Sequence, residues 1–163
     1  MHMKEIFPDL TDRFEYEYLG FHPLSGGQQL MVKKPVAKPM LDFLFRNQEF
    51  WCDYLVSISG EHRVTDKECI ILHYHLVSII TGFHIHLQTQ AEVAENEVAI
   101  FDSVSDIWKT ANWHEREAGE LFGIKFQGHP YQRNLLLPAT WQGFPLRKNY
   151  LQQDSFHGVQ VKY

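Results

Sequence analysis

Apolar residues recur with a readable period along the first three quarters of this chain and lose it in the last. Residues 4–14 space their apolar positions as a short helix would. The run YEYLGFHPLSGGQQLMVKKP predicts a strand, a hairpin turn at Ser25, Gly26 and Gly27, and a second strand. In KPMLDFLFRNQEF, Met40, Leu41, Leu44 and Phe45 fall at helical intervals and Pro39 suits a first turn, so the spacing predicts a helix over 38–50. WCDYLVSISG and ECIILHYHLVSII alternate or run apolar as strands, and Thr81-Gly82 turns the second into FHIHLQTQ. DSVSDIWKTANWHEREAGELFG predicts the longest helix, with Ser103 as N-cap, Asp106 three residues on and Gly123 as its stop. The elements predict an α/β (α+β) domain over residues 1–125, an antiparallel or mixed sheet flanked by helices.

The longest helix carries two anomalies. At about 100° per residue from Val104, the positions Trp108, Ala111, Glu115, Ala118 and Phe122 all lie within about 40° of it. Glu115 therefore sits inside an apolar stripe, where a carboxylate is costly unless paired and hydrogen-bonded. A basic partner is expected, with Arg133 or Arg147 as the candidates downstream. Trp113 is opposite, about 180° from the stripe, with Glu117 near it and Arg116 on the flank. A large aromatic among charges is either covered by the chain's own tail or is an interface anchor.

Residues 126–163 have neither period and are broken by Gly128, Pro130, Pro138, Gly143 and Pro145. The segment is nonetheless too apolar for a disordered chain, holding Trp141, Phe144, Leu146, Tyr150 and Phe156 among others. So long a structureless stretch is uncommon inside a compact domain. A long extended C-terminal tail of this composition must lie against the domain's own sheet or against another subunit, and its length favours the second.

Composition narrows the classes. At 163 residues the chain is long enough for one domain, burying roughly 70% of the surface its unfolded form exposes. An aromatic content of 14% is rich for a small domain and hints at surface meant for a partner. Net charge is −5, yet residues 126–163 carry four Lys/Arg against one Asp. An acidic body with a mildly basic tail argues against nucleic acid, which needs a dense cationic face, and suits a tail that docks on protein. Cys52 and Cys69 alone make no disulfide framework and fit a reducing compartment. No signal-peptide core opens the chain, and no apolar run approaches the ~18 residues of a membrane span.

Candidate chemistry is sparse. His73 and His75 share one strand face, and so do His84 and His86; if the strands pair, four imidazoles could converge on a metal, although a plain polar sheet face is the better expectation. HEREA resembles a metalloprotease helix, but the second histidine would fall at position 118, which is Ala. There is no nucleophile elbow and no phosphate-binding glycine loop. Glu115 and Glu117 point some 200° apart on a helix, so they cannot act as acid and base on one substrate.

The stretch ANWHEREAGELFGIKFQGHPYQRNLLLPATWQGFPLRKNY (111–150) resembles the signature of the C subunit of proton-translocating NADH:quinone oxidoreductase, respiratory complex I. The matching positions are Trp113, Glu115, Arg116, Glu117, Leu121, Phe122, Gly123, Ile124, Phe126, Gly128, His129, Pro130, Arg133, Leu136, Pro138, Trp141, Gly143, Pro145, Leu146, Arg147 and Lys148. Glu120 stands for a usual Asp, Gly119 for an aromatic, Asn134 for a second Arg, Phe144 for a His and Asn149 for an Asp. The resemblance implies a hydrophilic peripheral-arm subunit on the cytoplasmic side of the bacterial inner membrane, with no catalytic, cofactor or metal residue of its own. NADH, flavin, iron-sulfur clusters and quinone would belong to the whole complex. The signature helix and tail would lie along the quinone-site component, the D subunit. Glu115 would be paired inward, and Arg116 and Glu117 would be available for charge pairs within the tail or across the interface. Homologous subunits of membrane-bound hydrogenases and of ferredoxin- or deazaflavin-dependent quinone reductases form the alternative, and a free-standing metal enzyme using the strand histidines a more distant one. The length falls short of the fused form that joins the C and D subunits in one polypeptide.

Overall fold

The computed structural model describes residues 18–24, 27–94, 97–156 and 158–160. The helix expected at 4–14 lies outside them, as do Ser25 and Gly26 of the expected turn.

A five-stranded mixed sheet organises the domain. Strands β1 (Tyr18–Leu24) and β2 (Gly27–Lys33) form the expected hairpin, with Leu24 opposite Gly27. Helix α1 (Lys34–Arg46) then carries the chain to the far edge of the sheet, where β3 (Tyr54–Val64) and β4 (Glu68–Val77) run antiparallel. Strand β5 (His84–Glu92) returns to the middle, antiparallel to β4 and parallel to β2, giving the order β1-β2-β5-β4-β3. A second small sheet pairs β6 (Ala99–Asp102) in parallel with β7 (Ile124–Gln127), on either side of helix α2 (Ala111–Phe122) in sequence. Two-residue strands β8 (Ser155–Phe156) and β9 (Val159–Gln160) close a minor ladder near the C-terminus.

Alternation along β4 explains where the core lies. Ile70, Leu72, Tyr74 and Leu76 are buried on one face and register opposite His62, Gly60, Ile58 and Leu55 of β3. Val36, Ala37, Met40, Leu41 and Leu44 of α1 join the same apolar cluster, as do Ala111 and Ala118 of α2 and Phe101, Ile124 and Phe126 of the small sheet. The other face of β4 holds His73 and His75.

Both helices differ from their predicted spans. Helix α1 starts at Lys34 and ends at Arg46, so Pro35 occupies the first turn and Pro39 lies inside the helix. Burial of the α1 stripe outweighs the one hydrogen bond that Pro39 cannot make. Helix α2 starts at Ala111, eight residues beyond the expected Ser103 cap, and Thr110 caps it without a side-chain hydrogen bond. Residues 103–110 instead turn back: the Trp108 amide reaches the Val104 carbonyl, and the buried Trp108 indole donates to the Cys52 carbonyl at 3.1 Å. Gly123 ends α2 as expected, in the left-handed region at φ 69°.

Helix α2 meets the sheet where β3 has no side chain. A Cβ built at Gly60 would sit 2.5 Å from the Phe122 ring, so Phe122 packs on bare strand backbone. Gly60→Ala is expected to destabilise the domain by about 1–3 kcal/mol through overpacking. Chemical denaturation of the two proteins checks this.

Candidate docking face built by helix α2 and the tail

The charges of α2 are directed at backbone. Glu115 is fully buried, and its carboxylate accepts the Ser103 hydroxyl at 2.6 Å and the Val104 amide at 2.7 Å. Ser103 also receives the Ser105 amide at 3.2 Å. The expected arginine partner is therefore replaced: hydroxyl and amide donors of the turn before the helix satisfy Glu115, and Ser103 accepts the Ser105 amide at the start of that turn, well short of α2. The nearest imidazole nitrogen, His129 Nε2, is 4.0 Å away. Burial holds the Glu115 carboxyl well above the usual range, up to about 7, against the opposing pull of its two donors.

Arg116 is also buried, contrary to its expected place on the flank ready for charge pairs. Its Nε donates to the Arg133 carbonyl and its Nη2 to the Asn134 carbonyl, both at 3.1 Å. The guanidinium lies 5.0 Å from the centre of the Trp113 ring, which is 58% exposed. Glu120, one turn on, accepts three successive tail amides: Leu135 at 2.8 Å, Leu136 at 2.7 Å and Leu137 at 3.2 Å. Consecutive amides converging on one anion make a backbone nest, filled here by the chain's own carboxylate. Glu117 remains exposed.

The C-terminal end of α2 is closed by the tail. A helix end leaves carbonyls without partners. The Leu146 amide reaches the Leu121 carbonyl at 3.1 Å, Arg147 Nε reaches the Phe122 carbonyl at 2.7 Å, and Arg147 Nη2 reaches those of Gly123 at 3.2 Å and Glu97 at 2.6 Å. A cation at this end also meets the negative pole of the helix dipole. Arg147 is 5% exposed and lies over the Phe144 ring at 4.8 Å; a Cβ at Gly123 would collide with both side chains. The Lys148 amide donates to His62 Nδ1 at 3.0 Å.

At the tail's beginning, His129 Nδ1 accepts the Tyr131 amide at 3.0 Å, which leaves the ring proton on Nε2 to reach the Asn112 carbonyl at 3.1 Å. Gln132 runs its amide along the free edge of β7, donating to the Ile124 carbonyl at 2.6 Å and accepting from the Phe126 amide at 2.9 Å. The Trp141 amide closes a turn onto Pro138 at 2.9 Å, while Pro130 is exposed and Pro145 half-buried. The tail's backbone is thus tied to its own domain, whereas Tyr131, Leu136, Leu146 and Leu151 are 62%, 62%, 52% and 87% exposed. Arg133 lies on the Tyr131 ring, 4.9 Å from its centre.

Sequence reasoning missed Ser103 as a partner, Glu120, Gln132 and His62. Only the run of three leucine amides ahead of Pro138 could have asked for an acceptor, and nothing local named Glu120.

The histidine strands do pair, with His75 opposite His86. Their imidazoles stack at 4.3 Å, His86 Nε2 meets His73 Nδ1 at 3.0 Å, and His73 Nε2 meets Glu61 at 3.2 Å. Burial, reinforced by its two neighbours, pushes His86 down to about 4. Among the described residues no three His, Cys, Asp or Glu side chains are placed to hold a metal ion.

The family described as the respiratory-chain NADH dehydrogenase 30-kDa subunit matches residues 30–155. The chain belongs to this family. Its match begins in β2 and takes in both helices, most of the sheet and most of the tail. The NADH-quinone oxidoreductase C subunit of Chloroherpeton thalassium is 36% identical over 121 residues, 74% of this chain and 49% of that protein. The chain therefore spans about half the length of that curated relative. The C subunit of Chlorobium phaeobacteroides is 56% identical over 61 residues, 37% of each protein. The NADH-quinone oxidoreductase C/D subunit of Acinetobacter baumannii is 44% identical over 77 residues, 47% of this chain and 12% of that one. Among solved structures, a polypeptide of the membrane-bound sulfane sulfur reductase, an archaeal respiratory membrane complex, shares the fold at a TM-score of 0.69 and 19% identity, covering 90% of this chain and 84% of the other. Among the described residues no helix is long and apolar enough to cross a membrane.

Three outcomes are expected of this network. The raised Glu115 carboxyl means that the folded state holds a proton the unfolded chain, near pKa 4.3, has released. The resulting stabilisation is complete below about pH 4.3 and is lost as pH rises through about 7. Glu115→Gln should flatten this slope in thermal melts between about pH 5 and 8, while Glu115→Ala should cost on the order of 2–3 kcal/mol by stranding the Val104 amide. Separately, Glu120→Ala should raise hydrogen exchange at the amides of 135–137 and leave exchange in β4 unchanged.

Proposed function

We propose that this chain is a hydrophilic, non-catalytic subunit of the peripheral arm of a proton-translocating NADH:quinone oxidoreductase, on the cytoplasmic side of the bacterial inner membrane. It supports assembly of the quinone-reducing module, while NADH, flavin, iron-sulfur clusters and quinone are handled by the complex as a whole. Residues 126–163 form the docking tail. The face comprises Trp113, Glu117, Pro130, Arg133, Trp141, Pro145, Leu146 and Lys148, with the side chains of Arg116 and His129 buried beneath it, and its chief partner is the quinone-site component, the D subunit.

One observation carries this reading. The tail's backbone is held to α2 by buried polar side chains, yet Trp113, Tyr131, Leu136, Leu146 and Leu151 face outward. A chain that fixes its tail and still leaves these side chains in water is built to cover them with another polypeptide. Family membership supports the setting, and the Acinetobacter relative named as a C/D subunit supports the partner, because there one polypeptide bears both designations.

Isolation of the native membrane complex tests the reading. The chain should travel with cluster-bearing subunits. Leu136→Asp, which alters an exposed side chain, should release it from the complex while its own melting temperature stays within about 2 °C of the wild type. Recovery of the wild-type chain only as a free monomer would contradict the proposal.

A further inference from the structure

The partner's chemistry at one point of this face can be read from charge. Between α2 and the tail lies a groove of about 630 Å³ lined by Trp113, Arg116, Arg133, Asn134, Leu135, Leu137 and Ala139. It contains two guanidinium groups and no acid. Four other cations of the chain are paired: Lys38 with Asp106 at 3.0 Å, Arg46 with Asp42 at 2.8 Å, Arg63 with Glu61 at 2.9 Å and Lys67 with Glu92 at 2.7 Å. Among the described residues, neither Arg116 nor Arg133 meets a carboxylate. The acid one turn from Arg116, Glu120, is taken up by three tail amides.

Both guanidiniums also have aromatic neighbours. Each lies against an aromatic ring, Arg116 on Trp113 at 5.0 Å and Arg133 on Tyr131 at 4.9 Å. Arg116 spends its Nε and Nη2 on the Arg133 and Asn134 carbonyls, whereas Arg133, apart from a 3.4 Å contact from Nη1 to the Tyr131 hydroxyl, keeps its N–H groups for a carboxylate fork. Arg116 is buried at the base of the groove and sets a positive potential there, while Arg133 is exposed. Leu135, Leu137 and the Trp113 ring supply apolar wall between them.

We propose that this groove receives an acidic segment of the neighbouring subunit, its carboxylate engaging Arg133 over the field of Arg116 and an adjacent apolar side chain resting on Trp113 and Leu137. The proposal rests on the docking reading above and names the chemistry of its partner. Two arginines in a chain of net charge −5 are too sparse for a phosphate backbone, so the complement is a protein carboxylate.

The test uses the full-length protein in its native membrane complex. A photo-crosslinking residue placed at Ala139, on the groove wall, is activated and the product mapped by mass spectrometry. In parallel, Arg133→Glu, Arg133→Gln and Arg133→Lys are compared for retention in the complex across a salt series. The expected crosslink joins a different polypeptide within a few residues of an Asp or Glu. Arg133→Glu should weaken retention about tenfold or more relative to wild type, Arg133→Gln less, and Arg133→Lys least, with wild-type retention falling as salt rises. Unchanged melting of the isolated Arg133→Glu protein excludes unfolding as the cause. Crosslinks confined to this chain or to a second copy of it, crosslinks to a segment without carboxylates, or equal retention of all three variants would each overturn the acidic occupant while leaving the docking reading intact. Loss of the wild-type protein itself from the complex would overturn both.

Discussion

The structure depends on an exchange between the side chains of one short helix and the backbone of the irregular segment that follows it. Such a segment has amides and carbonyls that no ladder satisfies, and a helix end has carbonyls that no further turn satisfies. Here each answers the other. Arg116 and Glu120 of α2 take two carbonyls and three amides of the tail, and Arg147 and the Leu146 amide return to close the last turn of α2. Most of these bonds join a buried side chain to backbone, so removing the side chain leaves its backbone partners unmatched. The tail's path is fixed without a long regular element of its own.

What this arrangement leaves over is exposed apolar surface. Backbone satisfaction uses the polar atoms of the tail inward and turns much of its apolar surface outward, the reverse of an ordinary core segment. In the docking role proposed above, such a face would meet its neighbour with much of the tail's conformational cost already met.

Much of the sheet was legible because its signals are local. Period-two alternation gave β3, β4 and β5, and a glycine turn gave the β1–β2 hairpin. Helix starts were less legible: the first-turn preference of Pro39 is overridden by burial of the α1 stripe, and Ser103 accepts the Ser105 amide in a turn that precedes α2 instead of opening the helix itself. Strands β6 and β7 were not readable because four residues each give too short a period. Within the docking face, the inward position of Glu115 and the outward position of Trp113 followed from helical geometry alone. Their partners did not. Arg133 and Arg147 satisfied charge arithmetic for Glu115, but an amide and a hydroxyl 11 and 12 residues upstream did so in three dimensions. The nest under Glu120 depends on backbone placement, which leaves no mark on residue type.

The central claim is that the tail is already in place in the isolated protein and that only its outward side chains change environment on assembly. Hydroxyl-radical footprinting of the isolated protein and of the native complex measures this directly. Trp113, Tyr131, Leu136, Leu146 and Leu151 should be modified in the free protein and protected in the complex, while Phe144 and Phe122, packed at the end of α2, keep the same modification in both. Equal modification of the five exposed side chains in the two states would contradict the claim.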